Sequence, residues 1–242
     1  DFPLARRVQA IDQMAMNAAG LGALTLGGLA LSQGMPTAAA LVILLISGVV
    51  AIVAPEAIAA AVAISIPLIF HPVAIRNQHF SLLQLALLCG IGGLGARTLV
   101  AVAHDGLRPL LVLIEPWDIS AAAVLLVLVS LFSLTTVADH RHLAESERSV
   151  PVVIVEPLFA LLIFRDLVRR GRLWFATAAM IAMGCVVSLL AFRDVISGQS
   201  VVLADGVARA KGTYPHPNNL ALYLDRVALL TIGLAVVDRR RR

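Results

Sequence analysis

Residues 13 to 55 contain no Asp, Glu, Lys or Arg. Crossing the hydrocarbon of a bilayer takes about 20 apolar residues, so this run alone holds enough chain for two crossings, and a soluble fold has no use for it. Further uncharged runs cover 57 to 75, 119 to 138 and 173 to 192. The whole chain agrees: 14% of its residues are charged and 60% hydrophobic, where soluble domains carry about 25% charged residues, and its mean hydropathy is +0.91. The apolar runs are continuous, whereas a membrane barrel alternates apolar and polar residues in roughly ten-residue segments. The fold class read from the sequence is therefore all-α, a polytopic transmembrane helical bundle.

Charge, Pro and length divide the chain into about eight expected spans: 14 to 31, 37 to 54, 57 to 71, 81 to 103, 118 to 138, 152 to 168, 173 to 192 and 218 to 237. The turn at Pro55 and Glu56 is tight, so the second and third spans form a helical hairpin, and the third is too short to cross fully. The polar connections 139 to 151 and 193 to 217 are too short to build a core of their own. Residues 1–242 are read as a single transmembrane domain.

The net charge of +4 comes from 18 Arg and one Lys against 15 acids. A cytoplasmic N-terminus puts Arg6, Arg7, Arg108, Arg169, Arg170, Arg172 and Arg239 to Arg242 inside. Arg76, Arg141, Arg148, Arg193, Arg209 and Lys211 then lie outside. This threading puts both dense arginine clusters on one side, as the positive-inside rule favours. Both ends of the chain are then cytoplasmic, and the 193 to 217 connection faces outward. The arginines mark helix ends and are not interleaved with polar and aromatic residues, which argues against a nucleic-acid partner.

Several motifs have ordinary explanations. Cys89 and Cys185 lie inside apolar runs and read as inert thiols rather than a disulfide or metal site. Gly90, Gly92, Gly93 and Gly95 satisfy GxGxxG, but a dinucleotide fingerprint needs a strand before it and a helix opening after it. Inside a membrane span, small residues let helices approach closely. Arg97 and Arg165 fall near span ends, where their long stems allow snorkelling to the headgroups.

Other charges are harder to place. Glu156, followed by Pro157, sits just inside the end of a span. An intramembrane acid invites a functional reading, while a Pro-initiated helix start with a carboxylate favoured by the dipole is the simpler one. Omitting Asp225 and Arg226 from the last span leaves too few residues to cross, so both are expected inside the bundle, with Glu156 as a candidate partner for Arg226.

The segment Arg209 to Leu224, RAKGTYPHPNNLALYL, is a basic polar island in this apolar chain. Pro215 and Pro217 bar helix through TYPHP, and Asn218 or Asn219 is a suitable N-cap for the span that follows. Free N–H groups at that helix start favour anions. Arg209, Lys211 and His216 add cationic donors, and Tyr214 and Tyr223 suit the headgroup layer. Such a set fits a lipid phosphate or diphosphate. A capped helix with a basic loop touching headgroups would show the same residues.

The run RAKGTYPHPNNLALYLDR resembles the signature of the O-antigen ligase and polymerase family of bacterial membrane proteins, in which an Arg precedes a G-T-aromatic motif followed by PN and an apolar helix. The IVEPLF run at 154 to 159 and the order of spans are weaker echoes. The resemblance implies a lipid-linked glycan transferase at the outer face of the cytoplasmic membrane. It would take a glycan from a polyprenyl diphosphate carrier and pass it to an acceptor: lipid A core, a growing polymer or a protein. The diphosphate is already an activated leaving group, so neither a metal nor another cofactor is expected. Arg209 would be the catalytic residue, stabilising the departing diphosphate. Lys211, His216, Asn218, Tyr214, Glu156 and Arg226 would form the binding set. The family's large outer loop, with the His expected to act as base, would lie beyond Arg242, so the chain reads as the N-terminal portion of a longer protein and is expected to be inactive alone. A secondary transporter or lipid flippase using Glu156, Asp225 and Arg226 is the competing reading, and a noncatalytic membrane scaffold is a third.

Overall fold

A helix surrounded by other helices needs no polar face, and the Ala-rich stretch after Pro55 becomes the centre of the structure for that reason. The computed structural model describes residues 3–33, 36–75, 78–114, 154–204 and 207–241, with Leu125, Leu128, Val129 and Phe132. In chain order the helices bounded within the described residues are α1 (Pro3–Ser32), α2 (Thr37–Val53), α3 (Pro55–Ser65), α4 (Leu82–Asp105), α5 (Arg108–Ile114), α6 (Glu156–Arg169), α7 (Trp174–Ser197) and α8 (Pro217–Arg241). Two antiparallel hairpins interrupt them: β1 (Pro72–Ile75) with β2 (Gln78–Ser81), and β3 (Val201–Ala204) with β4 (Val207–Ala210). The helical class is as expected; the hairpins are not.

Among the described residues, four helical segments are long and apolar enough to cross a membrane: Ile11–Leu31, Leu82–Asp105, Trp174–Ser197 and Pro217–Val237. This is fewer than the eight expected, and for three of the other four length is the reason. The second and third expected spans form the shorter apolar helices Ala38–Val53 and Pro55–Leu68. The sixth is a helix of 14 residues, about 21 Å at ~1.5 Å per residue, short of a hydrocarbon core of about 30 Å. The fifth, 118 to 138, lies almost entirely outside the described residues.

α3 buries Ala57, Ile58, Ala59, Ala60, Val62 and Ala63 against its neighbours. One core joins Ala59 and Val62 of α3 to Leu87 of α4, Ile163 and Leu167 of α6 and Ala176 of α7. A second joins α7 to α8 through Val187, Ala191, Leu220, Tyr223 and Val227, with Tyr214 from the connection between them. A third packs Leu31 and Ala40 against Val73 of β1 and Leu85 of α4.

The glycine-rich run in α4 serves close approach. A Cβ on Gly90 would lie 2.5 Å from Ile163 Cδ1, and one on Gly93 would lie 2.7 Å from the Ala51 backbone. Gly92 and Gly95 face open space, so two of the four glycines hold α4 against α2 and α6, and the run lies within a helix rather than at a strand-to-helix turn. α4 also starts on a capping box: Ser81 Oγ accepts from Gln84 N–H at 3.0 Å, and Ser81 N–H donates to Gln84 Oε1 at 2.9 Å. Cys89 is half-buried and Cys185 points outward; both are free thiols, though only Cys89 is packed.

Candidate functional site

The basic island is a strand, a turn and a helix start. β3 and β4 pair with Val202 opposite Arg209. Successive strand residues face opposite ways, so Ala210 packs on the α7–α8 core while Arg209 is exposed. Lys211 N–H donates to Ser200 C=O at 3.0 Å, extending the hairpin by one bond. Tyr214 N–H then donates to Lys211 C=O at 3.1 Å. Within that tight turn Gly212 has φ +57°, a left-handed conformation that glycine takes without a Cβ penalty.

Tyr214 anchors the segment. It is buried, edge-on to Phe70 with ring centroids 5.9 Å apart, and tilted against Tyr223 at 6.0 Å. The preceding carbonyl, Thr213 C=O, lies 3.2 Å from His71 Nε2. A carbonyl only accepts, so His71 donates here and carries its proton on Nε2. The hydroxyls of Thr213, Tyr214 and Tyr223 are buried without a hydrogen-bond partner among the described residues. Burial, and secondarily the adjacent Tyr223, push the Tyr214 phenol above the usual tyrosine range, with the nearby Arg226 charge opposing the shift.

The helix cap differs from expectation. α8 begins at Pro217, which places Asn218 and Asn219 inside the first turn. The capping acceptor is His216: its Nδ1 accepts from Asn218 N–H at 3.2 Å, and its carbonyl accepts from Asn219 N–H at 3.1 Å. Pro217 at the first helical position has no N–H to satisfy and fixes the entry angle, which selects the residue before it as the cap. Both His216 and Asn218 remain exposed.

The structure separates residues that the sequence grouped. Arg209, Lys211, Tyr214, His216 and Asn218 share one continuous segment. Asp225 and Arg226 follow on α8 but are exposed, not enclosed by the described helices. Glu156 is buried, and its Oε1 accepts from Gln84 Nε2 at 2.8 Å, so its partner is the α4 capping residue and not Arg226. Its position at the start of α6, with Pro157 next, is the dipole-favoured placement.

Arg97 does not snorkel. Its Nη1 donates to Ala51 C=O, an orphan carbonyl in the last turn of α2, and its Nη2 lies 3.3 Å from Asp166 Oδ2. Asp166 Oδ1 accepts from Arg170 Nε at 2.9 Å. A second pair, unforeseen from sequence, joins Arg172 Nη1 to the buried Glu56 Oε1 at 3.0 Å. Among the described residues no group of three or more His, Cys, Asp or Glu is placed to hold a metal ion. No family model, no curated protein and no solved structure matches the chain.

Proposed function

We propose that the chain belongs to a lipid-linked glycan ligase or polymerase of the O-antigen type, with Arg209 as the residue that meets the donor diphosphate. The single observation carrying this reading is the RAKGTYPHPNN segment, whose likeness to that family's signature extends over the arginine, the G-T-aromatic turn and the PN helix start. Its local build is consistent with the role: Arg209 is exposed on β4, while a Tyr214 anchor and the His216 cap fix the backbone that follows. In the reaction an acceptor hydroxyl attacks the anomeric carbon, the bond from that carbon to the diphosphate oxygen breaks, and the acceptor proton leaves to a base. Arg209 stabilises the charge gathering on the leaving diphosphate, and Lys211 adds a second cation beside it. Asn218, Tyr214, His216, Glu156 and Arg226 are proposed to shape the donor side.

A threading that leaves both ends of the chain cytoplasmic in a bacterial inner membrane belongs to the same proposal. Its support is the distribution of arginine. Arg172 precedes α7 and Arg209 follows it, and the helix between has 24 residues, about 36 Å of rise. Arg97, Arg165, Arg169 and Arg170 gather at the Arg172 end.

The test is transfer of glycan from a polyprenyl diphosphate donor by membranes carrying the native protein or Arg209→Ala. The expected loss is about 10²- to 10³-fold, the scale for removing one preorganised donor to developing charge, with Arg209→Lys partly restored. Undiminished transfer by Arg209→Ala overturns the assignment. A transport function would instead follow Glu156 and Asp225, and those variants complete the comparison.

A further inference from the structure

A cavity of about 130 Å³ lies where α1, α2, α3 and α4 meet. Its α4 wall runs from Leu82, the first residue of that helix, to Cys89, a depth of about 10 Å at ~1.5 Å per residue and so within one leaflet of a hydrocarbon core of about 30 Å. That end of the bundle is the end of the Arg209 segment, because Phe70 and His71, on the approach to α4, touch Tyr214 and Thr213. The floor includes the buried Ile58 and Leu85. The mouth is at α1, where Thr25 and Leu29 line the cavity and are themselves exposed.

No lining residue is charged. The three lining hydroxyls donate to their own helices: Thr25 Oγ1 to Leu21 C=O at 2.8 Å, Ser47 Oγ to Ile43 C=O at 2.8 Å and Ser65 Oγ to Val62 C=O at 3.0 Å. A buried water needs about two to four polar partners, and the donor that remains among these side chains is the weak S–H of Cys89. The wall therefore suits an apolar ligand. An apolar cavity of roughly 150 Å³ accepts benzene, which leaves room here for about five carbons of hydrocarbon. A partner helix, about 10 Å across, does not enter. A chain end reaching sideways from the leaflet does, and it is held by packing: an unfilled void forfeits the dispersion contacts that lipid makes elsewhere on the bundle.

We propose that this cavity binds the end of a membrane phospholipid's acyl chain, the hydrocarbon that surrounds this part of the bundle and onto which the mouth at α1 opens. The short 3₁₀ turn Ile66–Leu68 ties the site to its neighbour. Leu68 lines the cavity, while Ile66 packs on the α7–α8 core beside Tyr214, so a bound chain backs the turn that carries Phe70 and His71 to the Arg209 segment. The site uses none of the residues assigned to glycan transfer and stands without that reading.

The test is photo-crosslinking of the full protein in phosphatidylcholine nanodiscs containing a phosphatidylcholine with a diazirine at the end of one acyl chain, the insertion sites being mapped by peptide mass spectrometry. Label is expected on Leu99, which is 70% exposed on α4, and also on Ile58 and Leu85, which are 1% and 7% exposed and out of reach of bulk lipid. Ala61→Leu and Ala86→Leu, made separately, push a branched side chain into the cavity from α3 and α4. Each is expected to abolish label on Ile58 and Leu85 while Leu99 keeps it. Label confined to exposed residues in the native protein overturns the proposal, and so does label on Ile58 and Leu85 that survives both substitutions. Displacement of that label by a small mole fraction of polyprenyl phosphate, in a matrix that is already phosphatidylcholine, also overturns it and gives the cavity to an isoprenoid carrier. Should the filled variants fail to fold, Cys89 reads the same space, because Cys185→Ser leaves it the sole thiol. Its alkylation by N-ethylmaleimide is expected to slow when phosphatidylcholine is added back to delipidated protein in detergent, and an unchanged rate overturns the proposal.

Discussion

Tyr214 shows how much of a residue's role comes from its surroundings. From sequence it belongs to the headgroup layer, where a tyrosine keeps its hydroxyl wet. In the fold it is buried against Phe70 and Tyr223, and its hydroxyl has no partner among the described residues. A phenol in that position holds its proton, and the cost of ionising it is desolvation. The chain has only two tyrosines, so a Tyr223→Phe background leaves Tyr214 as the sole phenolate absorber. Its absorbance should rise well above pH ~10, where an exposed tyrosine is half ionised, and denaturant should return the transition to ~10. The sign for stability follows. The folded phenol keeps a proton that the unfolded chain releases above pH ~10, so folding weakens as pH climbs past that value. A titration at the ordinary tyrosine value in the folded protein would contradict the burial.

At the scale of elements, the packing of α4 was more legible than its neighbours' ends. The rejection of GxGxxG as a nucleotide loop rested on its place inside an apolar run, and the contacts of Gly90 and Gly93 give the physical content. Gly93→Ala should drive a methyl into the Ala51 backbone, part α4 from α2 and weaken the Arg97 bond to Ala51 C=O one turn later. The expected cost is about 1–3 kcal/mol, measured by reversible unfolding in mixed micelles. Gly92→Ala meets nothing within 4 Å, and helix propensity should make it neutral or stabilising by up to about 1 kcal/mol. Equal effects from the two would rule out close approach as the reason for the motif. The hairpins were missed although the signal was present. Asp205-Gly206 sits between two four-residue strands, and a two-residue Asp-Gly connection is a strong hairpin sign. Hydropathy dominated that reading, and the strands are too short to shift it. The Ser81–Gln84 capping box was readable in the same way. The His216 cap was not: imidazole is an uncommon capping group, and Asn218 and Asn219 offered the customary one.

Across the whole molecule, ion pairs tie together helices whose sequence separation hides their contact. Arg172, in the turn between α6 and α7, reaches Glu56 at the start of α3, 116 positions away. Glu56 is 2% exposed, so Arg172→Ala leaves a buried carboxylate without its cation. The loss should be substantial but short of the roughly 3–5 kcal/mol of a fully enclosed pair, because Arg172 itself is half-exposed. Glu56→Gln in the Arg172→Ala background should recover part of it. Additive losses in that cycle, measured by unfolding, would show that the pair contributes no coupling. The same long-range logic separates the two ends of the bundle, one carrying the Arg209 segment and the other the Arg97–Asp166–Arg170 cluster.

The sequence by itself determined the solvent, the helical class and the polar segment worth testing, because long uncharged runs and a basic proline-rich island are local properties that no packing can cancel. The tertiary structure decided which helices reach crossing length, which charges are paired, and which hydroxyls are buried. Those depend on α3 being enclosed, on Gly93 admitting α2, and on arginines meeting acids from distant helices, and no window of sequence contains both partners.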